Sequence, residues 1–187
     1  MSETKFANPA ALGLMAFGMT TVLLNLHNSG LFPMGSMILS IGLFFGGIAQ
    51  VISGIMEYRN SNMFGLTAFT AYGLFWMTLV SLIVLPELGL AQPASKSAMA
   101  AYLLIWGLFT GLMSVSASRL NKALFSVFVT LTILFVLLAI GQYSPLVHTI
   151  AGYEGIICGF TAIYTGFADL TNDVYGRTVI PIWPIKK

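Results

Sequence analysis

Residues 8–28 read NPAALGLMAFGMTTVLLNLHN. Residues 10–26 contain no charged side chain, and the whole stretch has the length needed to cross a bilayer core as a helix, about 20 residues. It also carries features that a plain lipid-facing helix does not need. It opens with Asn8-Pro9, includes Gly13 and Gly18, and ends in Asn25, His27 and Asn28. Asn is a good N-cap, and Pro suits the first helical position, where no N–H is required. Such a start is either a plain cap or a set of N–H donors and a positive dipole end offered to an anion.

The rest of the chain repeats the pattern. Of 187 residues, 57% are hydrophobic and 7% are charged, and the mean hydropathy is +0.89. A soluble domain is about 25% charged, so this chain cannot coat a water-facing surface. Six apolar spans are predicted, at about 9–27, 34–57, 65–86, 99–118, 122–142 and 148–169. Their connections are short, which predicts one all-α integral membrane domain over residues 1–187. The start MSETKFANPAALG lacks a charged n-region followed by a small-residue cleavage site, so the first span is expected to stay in the mature chain.

Six spans place both termini on one side. That side holds Lys5, Arg59, Arg119, Lys122, Arg177, Lys186 and Lys187, against Lys96 alone on the other. The asymmetry predicts cytoplasmic termini in the cell (plasma) membrane. The net charge of +2 therefore reports topology and not nucleic-acid binding. The single Cys158 excludes an intramolecular disulfide.

Small, polar and aromatic residues recur at helical spacing. Gly13, Phe17, Thr21, Asn25 and Asn28 share a face of the first helix, and Gly42, Gly46, Gln50, Ser53 and Glu57 share one of the second. Gly65, Phe69, Tyr72 or Gly73, and Trp76 line the third, while GLFTG marks the fourth as a small-xxx-small contact. The sixth carries two stripes, Gly155-Gly159-Ala162-Gly166 and Glu154-Cys158-Thr161-Thr165-Asp169. Most glycines serve close packing, but lipid penalises Asn25 and Gln50 unless each is paired or faces a cavity. The fifth helix, by contrast, is almost uniformly apolar.

The sequence holds no constellation of an enzyme. Its two histidines, His27 and His148, fall near helix ends, and no metal-ligand or nucleophile motif occurs, so neither cofactor nor metal is expected. Among the acids, Glu57 reads as an interfacial anchor or local ion pair, and Asp169 as solvated or paired. Glu154 reads either as hydrated at an outer vestibule or as a pH-sensitive group. These three are the candidates for proton linkage. The central thirds of the helices are nearly free of charge and rich in Gln, Thr, Tyr and aromatic rings. A small amphiphilic carboxylate suits such walls, and so does a neutral solute such as urea.

Four motifs point further. Residues 8–14, NPAALGL, resemble the NPAPLGL signature of the acetate uptake transporter family, the succinate–acetate permeases. FGGIAQ at 45–50, FGLTAF at 64–69 and GRTVIP at 176–181 resemble its second and third helices and its tail. The likeness spans about residues 5–181, with Ala11 in place of the second signature proline. Ala is an excellent helix former, so the cap should survive. The resemblance implies six helices around a pore in each protomer, a homo-hexamer, and a waist of Phe17, Tyr72 and Leu131. The pathway residues then expected are Asn8, Gly13, Thr21, Asn25, Gln50, Trp76 and Ala162. The function expected is passage of acetate, and of succinate or similar small carboxylates, by an anion channel or a proton-coupled permease. A channel for a neutral small solute, urea-like or the protonated acid, and a structural or sensory membrane protein without transport are the competing readings.

Overall fold

The computed structural model describes residues 7–185, so Lys5, Lys186 and Lys187 of the charge argument lie outside the described residues. Six long helices follow one another: α1 Ala10–Asn28, α2 Ser36–Glu57, α3 Met63–Glu87, α4 Lys96–Ala117, α5 Lys122–Gly141 and α6 Pro145–Tyr175. Each is long and apolar enough to cross a membrane. An isolated bridge pairs Asn121 with Pro184, and there is no strand among the described residues. The fold is that of an all-α, multi-pass membrane protein.

The helices form a ring. α1 packs on α2 and α6, α2 on α3, and α5 between α4 and α6. Two seams of this ring are built in opposite ways. Along α1–α6, a Cβ on Gly18 would lie 2.7 Å from the Gly159 carbonyl oxygen, and one on Gly159 would lie 2.8 Å from that of Gly18. Any side chain at either position would force the backbones apart. Between α3 and α4, rings fill the space instead: Phe75 stacks on Tyr102 with centroids 5.8 Å apart and meets Trp106 edge-on at 5.1 Å. Phe75 also meets Phe135 of α5 edge-on, at 5.2 Å. The outward face of α4 carries Leu104, Ile105, Leu108, Leu112 and Val115, all exposed. In water that stripe would aggregate, whereas hydrocarbon or a neighbouring protomer covers it without cost.

Asn8 binds the start of α1 as the sequence suggests, and side chains cap four further helix starts, while α2 starts after Gly35 without one. Asn8 Oδ1 accepts from the Ala10 N–H at 3.0 Å, Asn62 from Gly65 at 3.0 Å, and Asn121 from Leu124 at 2.7 Å. Ser95 and Ser144 do the same for α4 and α6. α6 runs past the expected end at 169 to Tyr175 and stops at Gly176, whose φ of 63° is the left-handed conformation that glycine adopts without strain. Asn172 then fixes the tail, donating to the Ile180 carbonyl and accepting from Val179 and Ile180 N–H. The tail returns to α5: the Trp183 and Ile182 carbonyls accept the Lys122 and Ala123 N–H groups, which no helical bond can satisfy.

One feature of α2 lies outside the α-helical pattern. Gly42–Ala49 is a π-helical stretch between the α-helical parts Ser36–Ile41 and Gln50–Glu57. The face Gly42, Gly46, Gln50 repeats every four residues, more than the 3.6 of an α-helix, and a widened turn keeps such a repeat on one line. All three residues are buried, as are Ser53 and Glu57 beyond them.

Candidate functional site

The ring encloses two cavities, one near the chain termini and one at the opposite end. The proximal cavity, of about 240 Å³, runs from Asn8, Asn62, Asn121 and Asp169 inward to Gln50, Phe17 and Leu131. The distal cavity, of about 190 Å³, runs from Asn28, Gln142 and His148 inward to Asn25, Thr21 and Trp76, and again to Phe17 and Leu131. Phe17 and Leu131 are the residues common to the two linings. Both are nearly inaccessible, so the cavities meet at apolar side chains. Each cavity exceeds the ~30 Å³ share of one water several-fold and has room for a small organic solute.

Tyr72 completes this constriction from α3. Its ring lies 5.8 Å from that of Phe17 and 6.0 Å from Phe128, and it lines the proximal cavity. Its hydroxyl does not point at a solute. Thr110 Oγ1 donates to the Trp106 carbonyl at 2.7 Å, so the 2.8 Å contact with Tyr72 leaves the tyrosine as donor and the threonine as acceptor. The expectation of a free phenolic donor in the path is therefore corrected: the helix that supplies the ring also holds its hydroxyl against α4. Leu131 shows the reverse. On an apolar helix nothing in the sequence distinguishes it, yet it faces inward and touches both cavities.

The polar candidates divide between the two ends. Asn8 and Gln50 line the proximal cavity, and Thr21, Asn25 and Trp76 the distal one. Asn25 is buried, donates to the Thr21 carbonyl at 2.9 Å and accepts from Asn28 at 3.0 Å. Gly13 and Ala162 line neither cavity. A Cβ on Gly13 would lie 2.6 Å from the Phe69 ring, so this glycine admits an aromatic contact and not a solute. Ala162 is buried in the core of packed side chains.

The acids also differ from their sequence readings. Glu57 is 1% exposed, so the protein encloses it and it does not extend freely into the membrane interface. It packs beside Gly65 in the first turn of α3, where a Cβ would lie 2.8 Å from its carboxyl carbon. The loop that follows it is tied to α1: Asn60 donates to the Ala7 carbonyl, and Ser53 of α2 donates to that of Pro9. Asp169 is half-buried and lines the proximal cavity together with Thr165. Glu154 is partly buried, lies in neither cavity, and its Oε2 is buried without a hydrogen-bond partner.

Several lining residues escaped the sequence reading. Asn62 and Asn121 cap α3 and α5, and the fold brings them with Asn8 to one cavity mouth. His148 and Gln142 join the distal wall from the α5–α6 turn. Three helix starts, those of α1, α3 and α5, thus face the proximal cavity with the positive ends of their dipoles. Among the described residues no Lys, Arg or His lines that cavity, and Asp169 is its one carboxylate.

Six membrane-crossing helices around two cavities that meet at an apolar waist define a polytopic protein of the pore or permease class. The chain belongs to the GPR1/FUN34/yaaH family, whose model matches residues 1–187. It is 49% identical over 185 residues to the Succinate-acetate/proton symporter SatP of Escherichia coli (strain K12), covering 97% of this chain and 98% of that protein. It is 30% identical over 198 residues to Acetate permease A of Emericella nidulans, covering 95% of this chain and 66% of the relative. Among solved structures, that of the bacterial acetate channel SatP superposes with a TM-score of 0.94 at 49% identity, covering 95% of this chain and 99% of the other.

Proposed function

We propose that this protein carries acetate, and succinate or similar small carboxylates, across the cell membrane through a pore within each protomer. The observation that carries the reading is the meeting of two cavities at Phe17 and Leu131. An apolar waist excludes hydrated ions by the cost of stripping their water, and passes a solute that has a methyl or methylene group to offer it. Phe17, Tyr72 and Leu131 form the waist. Asn8 and Gln50 on one side, and Thr21, Asn25 and Trp76 on the other, are the polar stations. Glu57, Asp169 and Glu154 are the groups that can exchange a proton.

The protein acts as a transporter and not as an enzyme. Its exposed apolar faces serve a homo-hexamer in the plasma membrane, with both termini in the cytoplasm. The charge asymmetry supports that orientation, with Arg59, Arg119, Lys122 and Arg177 at one end and Lys96 at the other. An anion moving inward against the membrane potential costs about 2.3 kcal/mol per 100 mV, so uptake needs a solute gradient or a co-transported proton.

Radiolabelled acetate flux into proteoliposomes, with and without an imposed proton gradient, tests the function. Flux no greater than into empty liposomes would remove it in favour of a protein without transport. Orientation is tested by a cysteine placed at Ser95, which should react with an impermeant reagent from outside the cell. Reaction from the cytoplasm alone would reverse the topology. The mass of the detergent-solubilised assembly tests the hexamer, and a monodisperse monomer would discard it.

A further inference from the structure

Gln50 is a buried polar group in the wall of the proximal cavity that the packing leaves without a hydrogen-bond partner for its oxygen. It is 1% exposed. Whichever way the amide is turned, it presents a carbonyl acceptor at one end and an N–H donor at the other. Burying such a group unmatched is costly, and Gln50 follows directly on the π-helical stretch Gly42–Ala49 and lines the cavity. The surroundings select its partner. Among the described residues the wall of this cavity includes Leu14, Phe17, Ala68, Phe69 and Tyr72, with no basic side chain.

We infer that Gln50 binds the solute as a neutral carboxylic acid, in a paired amide–acid contact. The acid O–H donates to the amide oxygen while the acid carbonyl accepts from the amide N–H. A carboxylate has acceptors only, so it would leave the amide oxygen unmatched and facing negative charge. It would also be buried without a cation. The positive helix ends that suit an anion lie at the cavity mouth, by Asn8, Asn62 and Asn121. Gln50 lies two turns along α2 from Glu57, which is packed against the start of α3, and so sits deeper in the cavity. The proton therefore stays on the solute through the waist, and no side chain beside the waist has to carry it.

This assignment rests on the proposed carriage of small carboxylates and names the form in which they pass the waist. Acetamide is the probe, because it has the shape of acetic acid, offers one donor–acceptor edge, and does not ionise. The experiment is equilibrium dialysis of labelled acetate and acetamide against the purified full-length protein, from about pH 5 to about pH 8, well above a carboxylic-acid pKa near 4.3. The apparent Kd for total acetate should rise about tenfold per pH unit, while that for acetamide stays flat and the two compete.

Gln50→Met keeps the side-chain length and removes only an unpartnered polar end, so it should fold. It should weaken acetamide binding at least about fivefold, the loss of a hydrogen-bonded contact. The ionisable groups facing the same cavity are Asp169 and Tyr72, with Glu57 further along α2. Asp169→Asn should leave the pH slope in place. An acetate Kd independent of pH, failure of acetamide to bind or compete, an unchanged Gln50→Met protein, or a slope abolished in Asp169→Asn would each overturn the assignment. Protein-dependent acetate flux in liposomes separates the two ideas. If it persists while these results fail, the transport reading stands and the protonated form is wrong. If it is absent, the transport reading itself falls.

Discussion

The two cavities share a waist but present different unpartnered polar groups. The distal one has Trp76, whose indole N–H is buried without a partner, and Thr21, whose hydroxyl is also unpartnered. An indole can only donate. The proximal cavity has the unpartnered oxygen of Gln50, an acceptor. Its mouth has three asparagine-capped helix starts, whereas the distal mouth has the ends of α1 and α5 and the imidazole of His148. A pore with two equivalent vestibules would need no such difference. The arrangement teaches that the two ends of the path differ in polar-group placement and in backbone dipoles, with almost no fixed charge among the described lining residues.

The comparison can be broken most directly by removing the barrier between the cavities. Leu131→Ala deletes a side chain common to both, so the path should widen. The flux of lactate relative to acetate should rise about tenfold or more, the discrimination that a methylene-sized change in an apolar pocket supplies. An unaltered ratio in a well-folded protein would show that the cavities are divided elsewhere. A smaller effect is expected from Trp76→Phe, which removes the distal donor and keeps a ring. Acetate binding at the distal end should weaken about fivefold, the worth of one hydrogen bond, and unchanged binding would mean that the indole N–H meets no solute.

Two further variants sharpen the contrast without touching a solute. Asn121→Ala removes the cap of α5 at the proximal mouth and should cost about 1 kcal/mol in thermal or denaturant unfolding. The tail carbonyls that hold the Lys122 and Ala123 N–H groups limit the loss. A neutral result would assign the start of α5 wholly to the tail. The smallest effect belongs to Tyr72→Phe. Its hydroxyl is spent on Thr110, so the lactate-to-acetate ratio should change less than about twofold, below one hydrogen bond's worth. A large loss of acetate affinity would mean that the phenol turns into the path after all.

Glycine at Gly18 and Gly159, amides at Asn25 and Gln50, and the Asn8-Pro9 start are all legible in the chain, because each departs from a plain apolar span, whereas Asn62 and Asn121 are not singled out by the sequence. The acids are the instructive failures. Glu57 looks interfacial by its place beside Tyr58 and Arg59, but the loop tied back to α1 buries it. Glu154 looks like a vestibule group by its distance from the helix start, but it is partly buried and lies in neither cavity. Position along a helix gives depth; it does not say which neighbour covers a side chain.

What the sequence determined by itself is the class: six apolar spans, their order, the Asn8-Pro9 start and the asymmetry of charge follow from rules local to one helix and from the bilayer as solvent. The tertiary structure alone decided which of the inward residues meet. Leu131 among equally apolar neighbours, the place of Gln50 in the proximal cavity wall, and the commitment of the Tyr72 hydroxyl to Thr110 all depend on the rotation of one helix against another. That rotation is set by long-range packing, by the backbone contact at Gly18 and Gly159 on one seam and by the rings between α3 and α4 on the other. No single span encodes it, since each of those contacts joins residues that lie far apart in the chain.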